Sequence, residues 1–387
     1  MTDTTPAVRF RSAAAADADW ARAAGVCVDR LGDVRGCTLG FLYVSDALAE
    51  RATAIVTFLR SVTGIRDWVG TVGIGVMGGG EEFFDTPAVA VMVTDLPAER
   101  FRLFPVVDGD LTPLRRAAGG WLDRHGATLG LVHVDPRHPQ LNDLIGRVAE
   151  ATGAFLVGGL TASRGAFPQF TVPGDTAVPV TAGSPVGEGG LSGVLFGPDT
   201  GVATGKTQGC SPIGPTRTIT AAEENVILEI DGEPALSVFK RDIGEELARD
   251  LASIGGTIFA GLPVAGTDTG DYLVRNLVAI DPRNGWLAVA ERVQTGQPVL
   301  FARRDAATAA ADLDRMLTGL TRRLSGPPRG AVYVSCVARG PGLFGPGGEL
   351  AAIRRALGDV PLAGFFANGE ISHNRLYGYT GVLTLFV

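Results

Sequence analysis

Three stretches of the chain repeat one pattern of apolar and polar positions. Each copy opens with a run rich in β-branched and aromatic residues, at 37–46, 127–135 and 330–336, which is typical of a buried strand. Apolar residues then recur at the spacing of one helix face. In the first copy these residues are Leu48, Ala52, Ile55, Val56, Leu59 and Val62. The pattern therefore predicts a strand followed by a helix in each copy.

A glycine-rich run and a final apolar run complete each copy. The glycine-rich runs lie at 72–81, 156–163 and 362–370, and the final apolar runs lie at 88–93, 191–196 and 381–387. Both kinds of run are predicted strands, and glycine inside a strand favours the close approach of a backbone or a ligand. The sequence therefore predicts an α/β fold with two domains built from related β-α-β-β units, with mixed sheets and helices on one face.

The length and one change of composition predict the domain organisation. A chain of 387 residues favours two domains. Residues 201–222 are rich in Gly, Pro and Thr, so we place the boundary just after them. The predicted organisation is a helical N-terminal extension at 1–34, a first domain at 35–223 and a second domain at 224–387.

The net charge and the hydropathy of the chain indicate which classes of partner and which cellular location to expect. The net charge is −7 and the Arg pairs are scattered, which argues against a nucleic-acid partner. The N-terminus lacks the apolar core of a signal peptide, and no stretch approaches the roughly 18 apolar residues of a membrane span. We therefore expect a cytoplasmic chain with no membrane span and with reduced cysteines.

Two glycine-rich segments resemble nucleotide-binding signatures, but neither has the sequence context that such a site requires. Residues 73–78 match G-x-G-x-x-G, but a predicted strand follows them instead of a helix. Residues 201–207 are one residue short of a P-loop, and Pro212 follows where the helix would have to begin. The four cysteines lack C-x-x-C spacing and do not pair with a histidine. We therefore predict no metal site and no cofactor.

The first candidate binding element is the loop at 209–215. It holds two Gly and two Pro, which make a loop rigid and expose its backbone amides. In the functional interpretation this loop forms a pocket wall with Cys210, Pro212 and the nearby Arg217. An ordinary structural turn is the alternative interpretation.

The second candidate element is a set of polar residues where two predicted strands of the third copy end. Cys336 and Arg339 follow one strand, and Asn368, Glu370 and His373 follow the other. Adjacent strand ends meet at one rim of an α/β sheet, where ligands bind. Arg339 would hold a carboxylate, Glu370 would accept from an ammonium, and Asn368 would both donate and accept. A salt-bridged sheet edge is the alternative interpretation.

These two elements together predict one ligand pocket. We expect it between the two domains, lined by the loop at 209–215 and by residues 368–370. The second copy lacks the acidic residue that stands at Glu81 and Glu370 in the other copies. We therefore do not expect the same site in each copy.

Two long motifs resemble the FIST family of sensory proteins. Residues 209–215, followed by NVILEIDGEPAL at 225–236, resemble the junction between the two halves of FIST proteins. Residues 361–371, followed by 376–383, resemble the closing motif of the FIST C-terminal domain. The resemblance covers the chain from residue 35 to its end.

The resemblance implies a sensory function. FIST domains occur in bacteria beside kinases, cyclic-nucleotide enzymes and chemotaxis modules, and are proposed to sense small ligands, amino acids among them. This chain leaves no room for such an output module, so we expect it to signal through a separate protein partner. The resemblance thus implies a small-molecule ligand, such as an amino acid or another small metabolite.

Two other functions compete with the sensor. The first is a cysteine-dependent enzyme with Cys336 as nucleophile, His373 as base and Arg339 favouring the thiolate. The second is an interaction scaffold, in which the outgoing strand at 382–387 leaves a sheet edge free for pairing. We consider the ligand-binding sensor first because no complete catalytic set is visible.

Overall fold

A computed structural model describes residues 8–173, 186–264 and 271–387, with about 30% of the chain in helices and 40% in strands. The chain forms two compact units. Unit one comprises Met1–Thr207, Leu313–Leu376 and Thr380–Val387, and unit two comprises Gln208–Asp312 and Tyr377–Tyr379. Unit two is thus mostly an insertion in the sequence of unit one.

Two repeats lie in the first half of unit one. Repeat one contains β1 Phe10–Ala16, α1 Trp20–Leu31, β2 Leu39–Ser45, α2 Ala52–Thr63, β3 Asp67–Gly73, β4 Gly75–Gly78, β5 Glu81–Phe84 and β6 Ala88–Thr94. Repeat two contains β7 Phe101–Val107, α3 Thr112–His125, β8 Leu129–Val134, α4 Leu141–Thr152, β9 Phe155–Leu160, β10 Gln169–Val172, β11 Val186–Gly187 and β12 Leu191–Phe196.

The third repeat is interrupted by unit two. It begins with β13 Val202–Gln208 and resumes after the insertion. Unit two contains β14 Cys210–Pro212, β15 Arg217–Glu223, β16 Val226–Ile230, β17 Glu233–Pro234, α5 Ala235–Ile243, α6 Glu245–Ala248, β18 Ile258–Pro263, β19 Tyr272–Asp281, β20 Trp286–Val289 and β21 Pro298–Arg304. Repeat three continues with α7 Ala306–Arg323, β22 Gly330–Cys336, α8 Gly340–Phe344, α9 Gly348–Leu357, β23 Leu362–Ala367, β24 Glu370–Ser372, β25 Arg375–Tyr377 and β26 Thr380–Phe386.

The three repeats share one sheet order. The orders are β1-β6-β2-β3, β7-β12-β8-β9 and β13-β26-β22-β23. In each sheet the strand before the second helix is parallel to the strand after it and antiparallel to the outgoing strand. The predicted β-α-β-β units and mixed sheets are therefore confirmed, and each unit is preceded by one more strand and helix.

One short hairpin of each repeat pairs with the sheet of another repeat. Hairpin β4–β5 extends the sheet of repeat three at β23, β10–β11 extends that of repeat one at β3, and β24–β25 extends that of repeat two at β9. The exchange is cyclic, so each six-stranded sheet contains strands from two repeats. It brings the polar hairpin residue Glu370 of repeat three to the edge of the repeat-two sheet.

One prediction for the C-terminal half needs correction. The segment 201–222, which is rich in Gly, Pro and Thr, forms β13, β14 and most of β15. The predicted free edge at 382–387 is not an edge, because β26 lies between β13 and β22. Strand β13 pairs with β26 on the side that the sequence pattern left open. The segment at 1–34 contains strand β1 as well as the predicted helix, and β1 pairs with β6.

The alternation of side chains along the strands divides the core of unit one into layers. One cluster joins the inner faces of all three sheets and includes Phe41, Leu131, Val332 and Phe365. The outer face of each sheet packs against helices of its own repeat. Burying each such large apolar side chain contributes about 1.5–3 kcal/mol, so these layers stabilise the strand ends that carry the polar residues below.

Unit two is a closed antiparallel barrel. Strands β15, β16, β20, β19, β18 and β21 pair in succession, and β21 pairs with β15 to close the circle. Helix α5 packs against the barrel, where the rings of Phe239 and Phe301 lie 4.7 Å apart. Among the residues described in either unit, none of the helices has the length and apolar character needed to cross a bilayer.

Candidate functional site

A buried carboxylate organises the polar residues on the outer face of β22. Tyr333 and Ser335 are two residues apart in this strand, so both face helix α9, whose first turn holds Glu349. The Tyr333 hydroxyl donates to Glu349 Oε1 at 2.6 Å, and the Ser335 hydroxyl donates to Oε2 at 2.7 Å. Arg339 Nε donates to Oε1 at 2.9 Å. Three donors thus fix an ionised carboxylate away from water.

The Arg339 guanidinium is fully buried and only partly satisfied. Its Nη2 lies 2.7 Å from Glu349 Oε1 as an ion pair, but without hydrogen-bond geometry. Its Nη1 has no hydrogen-bond partner among the described residues, and the group faces the Phe344 ring at 4.8 Å. Burial acts to lower the pKa of Arg339, but the Glu349 carboxylate more than offsets it, so the pKa is raised. The site therefore holds a permanent buried cation with an unused donor.

Glu370 is the second buried carboxyl group of this region. It begins β24, and its Oε2 accepts from Thr380 N at 3.1 Å and from Thr380 Oγ1 at 2.7 Å. Its Oε1 is buried and has no hydrogen-bond partner within the described ranges. Burial raises the pKa of Glu370 to about 8, although Thr380, the charge of Arg339 and the nearby Cys336 thiol act to lower it. Glu370 is therefore mostly protonated at neutral pH.

The sheet registers align the three repeats and show how repeat three differs. Gly70, Gly158 and Gly364 face equivalent carbonyl groups of the neighbouring parallel strand, which sets a common register. In this register Cys336 corresponds to Ser45 and Asp135. In repeats one and two, the side chain at this position accepts a hydrogen bond from a backbone amide at or just before the start of the outgoing strand.

In repeats one and two the strand-end side chain itself accepts from this part of the backbone. Ser45 Oγ accepts from Ala88 N at 2.8 Å, and Asp135 Oδ2 accepts at 2.9 Å from Gly189 N, one residue before the equivalent position. In repeat three the strand-end residue is Cys336, and the amide of Thr380, which is equivalent to that of Ala88, donates to Glu370 instead. The carboxyl group of repeat three therefore comes from the hairpin and not from the strand end.

Gln169 of repeat two occupies the position that corresponds to Glu370. Gln169 pairs with Thr71 next to Gly70, as Glu370 pairs with Gly159 next to Gly158. Its Nε2 donates to Gly190 O at 2.8 Å, and its Oε1 accepts from Ser192 Oγ at 2.6 Å. Both polar atoms of Gln169 are satisfied, whereas only one of the two Glu370 oxygens is.

The structure brings only some of the predicted repeat-three residues together. Cys336, Arg339 and Glu370 form one buried group, and Asn368 lies exposed just before β24. His373 lies in the exposed turn between β24 and β25, where its ring stacks on Phe155 with centroids 5.3 Å apart. His373 is exposed, whereas the thiol of Cys336 is buried. The structure therefore gives no support to an enzyme in which Cys336 is the nucleophile and His373 the base.

His373 belongs to a different surface feature. It lines an open cleft of about 710 Å³ beside α4, with Asn142, Arg147, Glu150 and Asn374. His373 has a positive φ of 61°, which a turn between two short strands requires. This cleft is polar and exposed, unlike the buried group at Arg339.

The remaining predicted residues lie in unit two. Cys210 is buried in β14, and Pro212 at the end of that strand is exposed. Arg217 donates to both oxygens of Asp242 at 2.6 Å and to Asp231 at 3.0 Å. The Arg217 guanidinium therefore holds elements of unit two together. This is a structural role, the alternative to a role in a pocket wall.

Sequence reasoning missed four residues of the buried group. They are Tyr333, Ser335, Glu349 and Thr380. Polar residues at alternate positions of an otherwise apolar strand were the available signal for Tyr333 and Ser335. An acidic residue in the first turn of a helix, such as Glu349, is ordinary and gave no signal.

Family matches cover most of the chain. Residues 38–233 match the FIST N domain, and residues 235–373 match the FIST C domain. The chain belongs to the FIST family. FIST domains are associated with signal transduction and sensing. The boundary between the two FIST matches falls inside the barrel of unit two, so it differs from the division into compact units.

Related proteins span nearly the full length of this FIST chain. An uncharacterized protein of Mycobacterium tuberculosis is 32% identical over 362 residues, covering 90% of this chain and 91% of the relative. An uncharacterized protein of Mycobacterium bovis is also 32% identical over 362 residues, covering 90% of each. The similarity therefore includes the insertion that forms the barrel.

Proposed function

We propose that this FIST protein is a sensor that binds a small metabolite at the buried group of Cys336, Arg339 and Glu370. Amino acids are among the candidate ligands. The observation that carries the proposal is the pair of buried polar atoms, Arg339 Nη1 and Glu370 Oε1, that have no hydrogen-bond partner among the described residues. An unsatisfied buried polar group costs about 1–3 kcal/mol, so a ligand that satisfies both atoms would recover that free energy.

The position of the group in the fold supports the same proposal. It lies where the parallel strands β22 and β23 end, which is where α/β sheets bind ligands. Asn368, exposed just before Glu370, would complete the site from the solvent side. We keep the region of Cys210, Pro212 and Arg217 as a second proposed ligand-binding element. Arg217 holds this region in place through its ion pairs.

The proposal extends to location and output. All four cysteines are reduced thiols, which suits a cytoplasmic protein. We propose that ligand binding is read by a separate protein partner, because both matched segments are FIST domains, which are associated with signal transduction and sensing.

A thermal-shift screen tests the proposed function. The panel contains amino acids, nucleotides and acyl metabolites, and at least one is expected to raise the melting temperature of the wild-type protein by several degrees. Arg339→Lys keeps the charge beside Glu349 but removes Nη1, so the same compound is expected to give a much smaller shift.

Arg137→Lys is the matched control, because Arg137 is a half-exposed arginine after the equivalent strand of repeat two. It is expected to keep the full shift. A panel in which no compound stabilises the wild-type protein would contradict the sensor, and an unchanged shift in Arg339→Lys would move the site elsewhere.

A further inference from the structure

We infer that Glu370 acts as a hydrogen-bond donor to the ligand, beside Arg339, so that the ligand group entering this site is an oxyanion and not an ammonium. The inference rests on the proposed function, and it specifies the chemistry of the same site. It reverses the role that the sequence alone suggested for Glu370, an acceptor for an ammonium.

The hydrogen bonds of Glu370 determine which oxygen carries the proton. Oε2 already accepts from the Thr380 amide at 3.1 Å and from the Thr380 hydroxyl at 2.7 Å. A proton on Oε2 would compete with the Thr380 amide, which can only donate, so a neutral Glu370 carries its proton on Oε1. Oε1 is the atom without a partner in the described part of the chain, and as a hydroxyl it needs an acceptor.

Repeat two places a side chain that cannot ionise at the position of Glu370. Gln169 uses its oxygen as an acceptor and its Nε2 as a donor. A protonated glutamic acid has the same shape and the same division into one acceptor and one donor. Gln169 satisfies its donor at Gly190 and its acceptor at Ser192, whereas Glu370 satisfies its acceptor at Thr380 and has no partner for Oε1 among the described residues.

The atoms of the site that lack a hydrogen-bond partner in the described ranges are therefore all donors when Glu370 is protonated. Arg339 has no acceptor capacity, and neither its Nη1 nor its Nη2 makes a hydrogen bond there. The carboxylate oxygens are already engaged, because Glu349 receives Tyr333, Ser335 and Arg339 while Glu370 Oε2 receives Thr380. Unpartnered donors beside engaged carboxylate oxygens suit the oxygens of an incoming carboxylate better than an ammonium.

The same geometry makes binding depend on pH. The charged and titratable groups that act on Glu370 are Arg339 and Cys336, while Glu349 on α9 pairs with Arg339. If Glu370 loses its proton, it becomes an anion without a donor at Oε1 and repels an incoming carboxylate. Because the pKa of Glu370 is about 8, binding is expected to weaken as the pH rises through 8.

Matched ligands and one isosteric variant test the inference. Propionate, propionamide and alanine are titrated calorimetrically, together with inorganic phosphate as another oxyanion, against wild type and Glu370→Gln between pH 6.5 and 9.5. We expect propionate to bind wild type at least tenfold more tightly than propionamide, and alanine to bind no more tightly than propionate. The wild-type Kd is expected to rise by a factor that approaches tenfold per pH unit above 8.

The variant separates proton donation from the general effect of pH. Glu370→Gln recreates the Gln169 arrangement, keeps a donor at every pH, and is expected to bind propionate with a flat pH profile. Glu188→Gln, a half-exposed glutamate of repeat two, is the control and should retain the wild-type slope.

Several results would overturn the inference. They are equal binding of propionate and propionamide, binding of alanine alone, a flat wild-type profile, or identical slopes for wild type and Glu370→Gln. If only phosphate binds, the oxyanion inference stands and the ligand is a phosphate. If none of these probes binds but another compound of the metabolite panel does, the sensor stands and this inference fails. If no compound of that panel binds, the proposed function itself fails and the inference fails with it.

Discussion

At the scale of single residues, Glu349 is the centre of the buried polar group. Replacing it as Glu349→Gln leaves the buried Arg339 cation without its counter-charge and weakens the hydrogen bonds from Tyr333 and Ser335. Removing one partner of a buried ion pair costs about 3–5 kcal/mol, which we expect as the loss in free energy of unfolding measured by urea denaturation.

A half-exposed ion pair provides the control for Glu349. Glu81 pairs with Arg30 at 2.5 Å, and both side chains are about half exposed. Glu81→Gln is therefore expected to change the free energy of unfolding by less than about 1 kcal/mol. Equal, small effects of the two substitutions would show that the Arg339–Glu349 pair is not buried in solution.

Because His133 is buried in the inner core, we expect acid to lower the free energy of unfolding. Its ring is fully buried among the three sheets, its Nδ1 has no partner in the described structure, and its Nε2 lies 3.4 Å from the Tyr43 hydroxyl. Burial lowers the pKa of His133 to about 3. In the unfolded chain a histidine titrates near pH 6.5, so between pH 6.5 and about 3 the unfolded state binds the extra proton.

The stability contributed by neutral His133 is therefore present above pH 6.5 and is lost as the pH falls. The loss from this residue is about 2 kcal/mol between pH 6.5 and 5. His133→Leu is expected to flatten the pH dependence of the urea unfolding free energy by that amount, and His125→Asn, on the surface, is not. An unchanged slope in His133→Leu would mean that the imidazole is hydrated or paired in solution.

Strand ends decide which of the residues grouped from the sequence lie together. Cys336, Arg339 and Glu370 were grouped because two adjacent strands of one repeat end at the same rim, and in the structure they lie in one buried group. The Arg339 partner was missed, because Glu349 reaches the site only through the packing of α9 on β22. His373 was grouped with them from the sequence, but it lies in the hairpin turn, where its ring stacks on Phe155.

At the scale of elements, one glycine in each repeat allows the parallel strands to pair. A Cβ on Gly158 would lie 1.9 Å from the Val132 carbonyl oxygen, and Gly158 has a φ of +136°. The contact is with backbone and cannot be relieved by a rotamer change. Gly158→Ala is therefore expected to destabilise the protein by more than about 3 kcal/mol, measured as the loss of soluble protein or of unfolding free energy.

Gly146 in α4 is the matched control, because a Cβ there meets no atom within 4 Å. Gly146→Ala is expected to leave stability unchanged or to raise it by about 0.5–1 kcal/mol through helix propensity. Similar stabilities for the two alanine variants would contradict the strand register of repeat two.

The sequence predicted the elements that follow a strong apolar period and missed those that depend on a neighbour. The strand, helix and two strands of each repeat were visible as apolar runs. Strand β1 is rich in alanine, and β13 holds alanine, glycine and lysine beside its Val and Thr residues, so the intrinsic strand preference of each is weak. Both form because an outgoing strand, β6 or β26, offers a hydrogen-bonding edge.

At the scale of the whole molecule, the repeat explains the fold better than a division into two halves. Unit one contains three copies, and the barrel of unit two is inserted after the first strand of the third. The boundary predicted near 224 lies between β15 and β16 of that barrel. A change in composition therefore marked the inserted barrel, and not a linker between domains.

The hairpin exchange is the other feature that sequence could not show. Residues 370–372 pair with β9, more than two hundred positions earlier, through backbone hydrogen bonds that leave no mark in the composition. This pairing places Glu370 beside the end of β22, and so creates the buried group on which the proposed sensor depends.

Native mass spectrometry of the protein purified from its own cells tests the sensor most directly. We expect a mass excess of one small metabolite on the folded protein, lost on denaturation and absent from Arg339→Lys prepared in the same way. A wild-type mass equal to that of the bare chain, with no compound of the metabolite panel raising its melting temperature, would contradict the sensor.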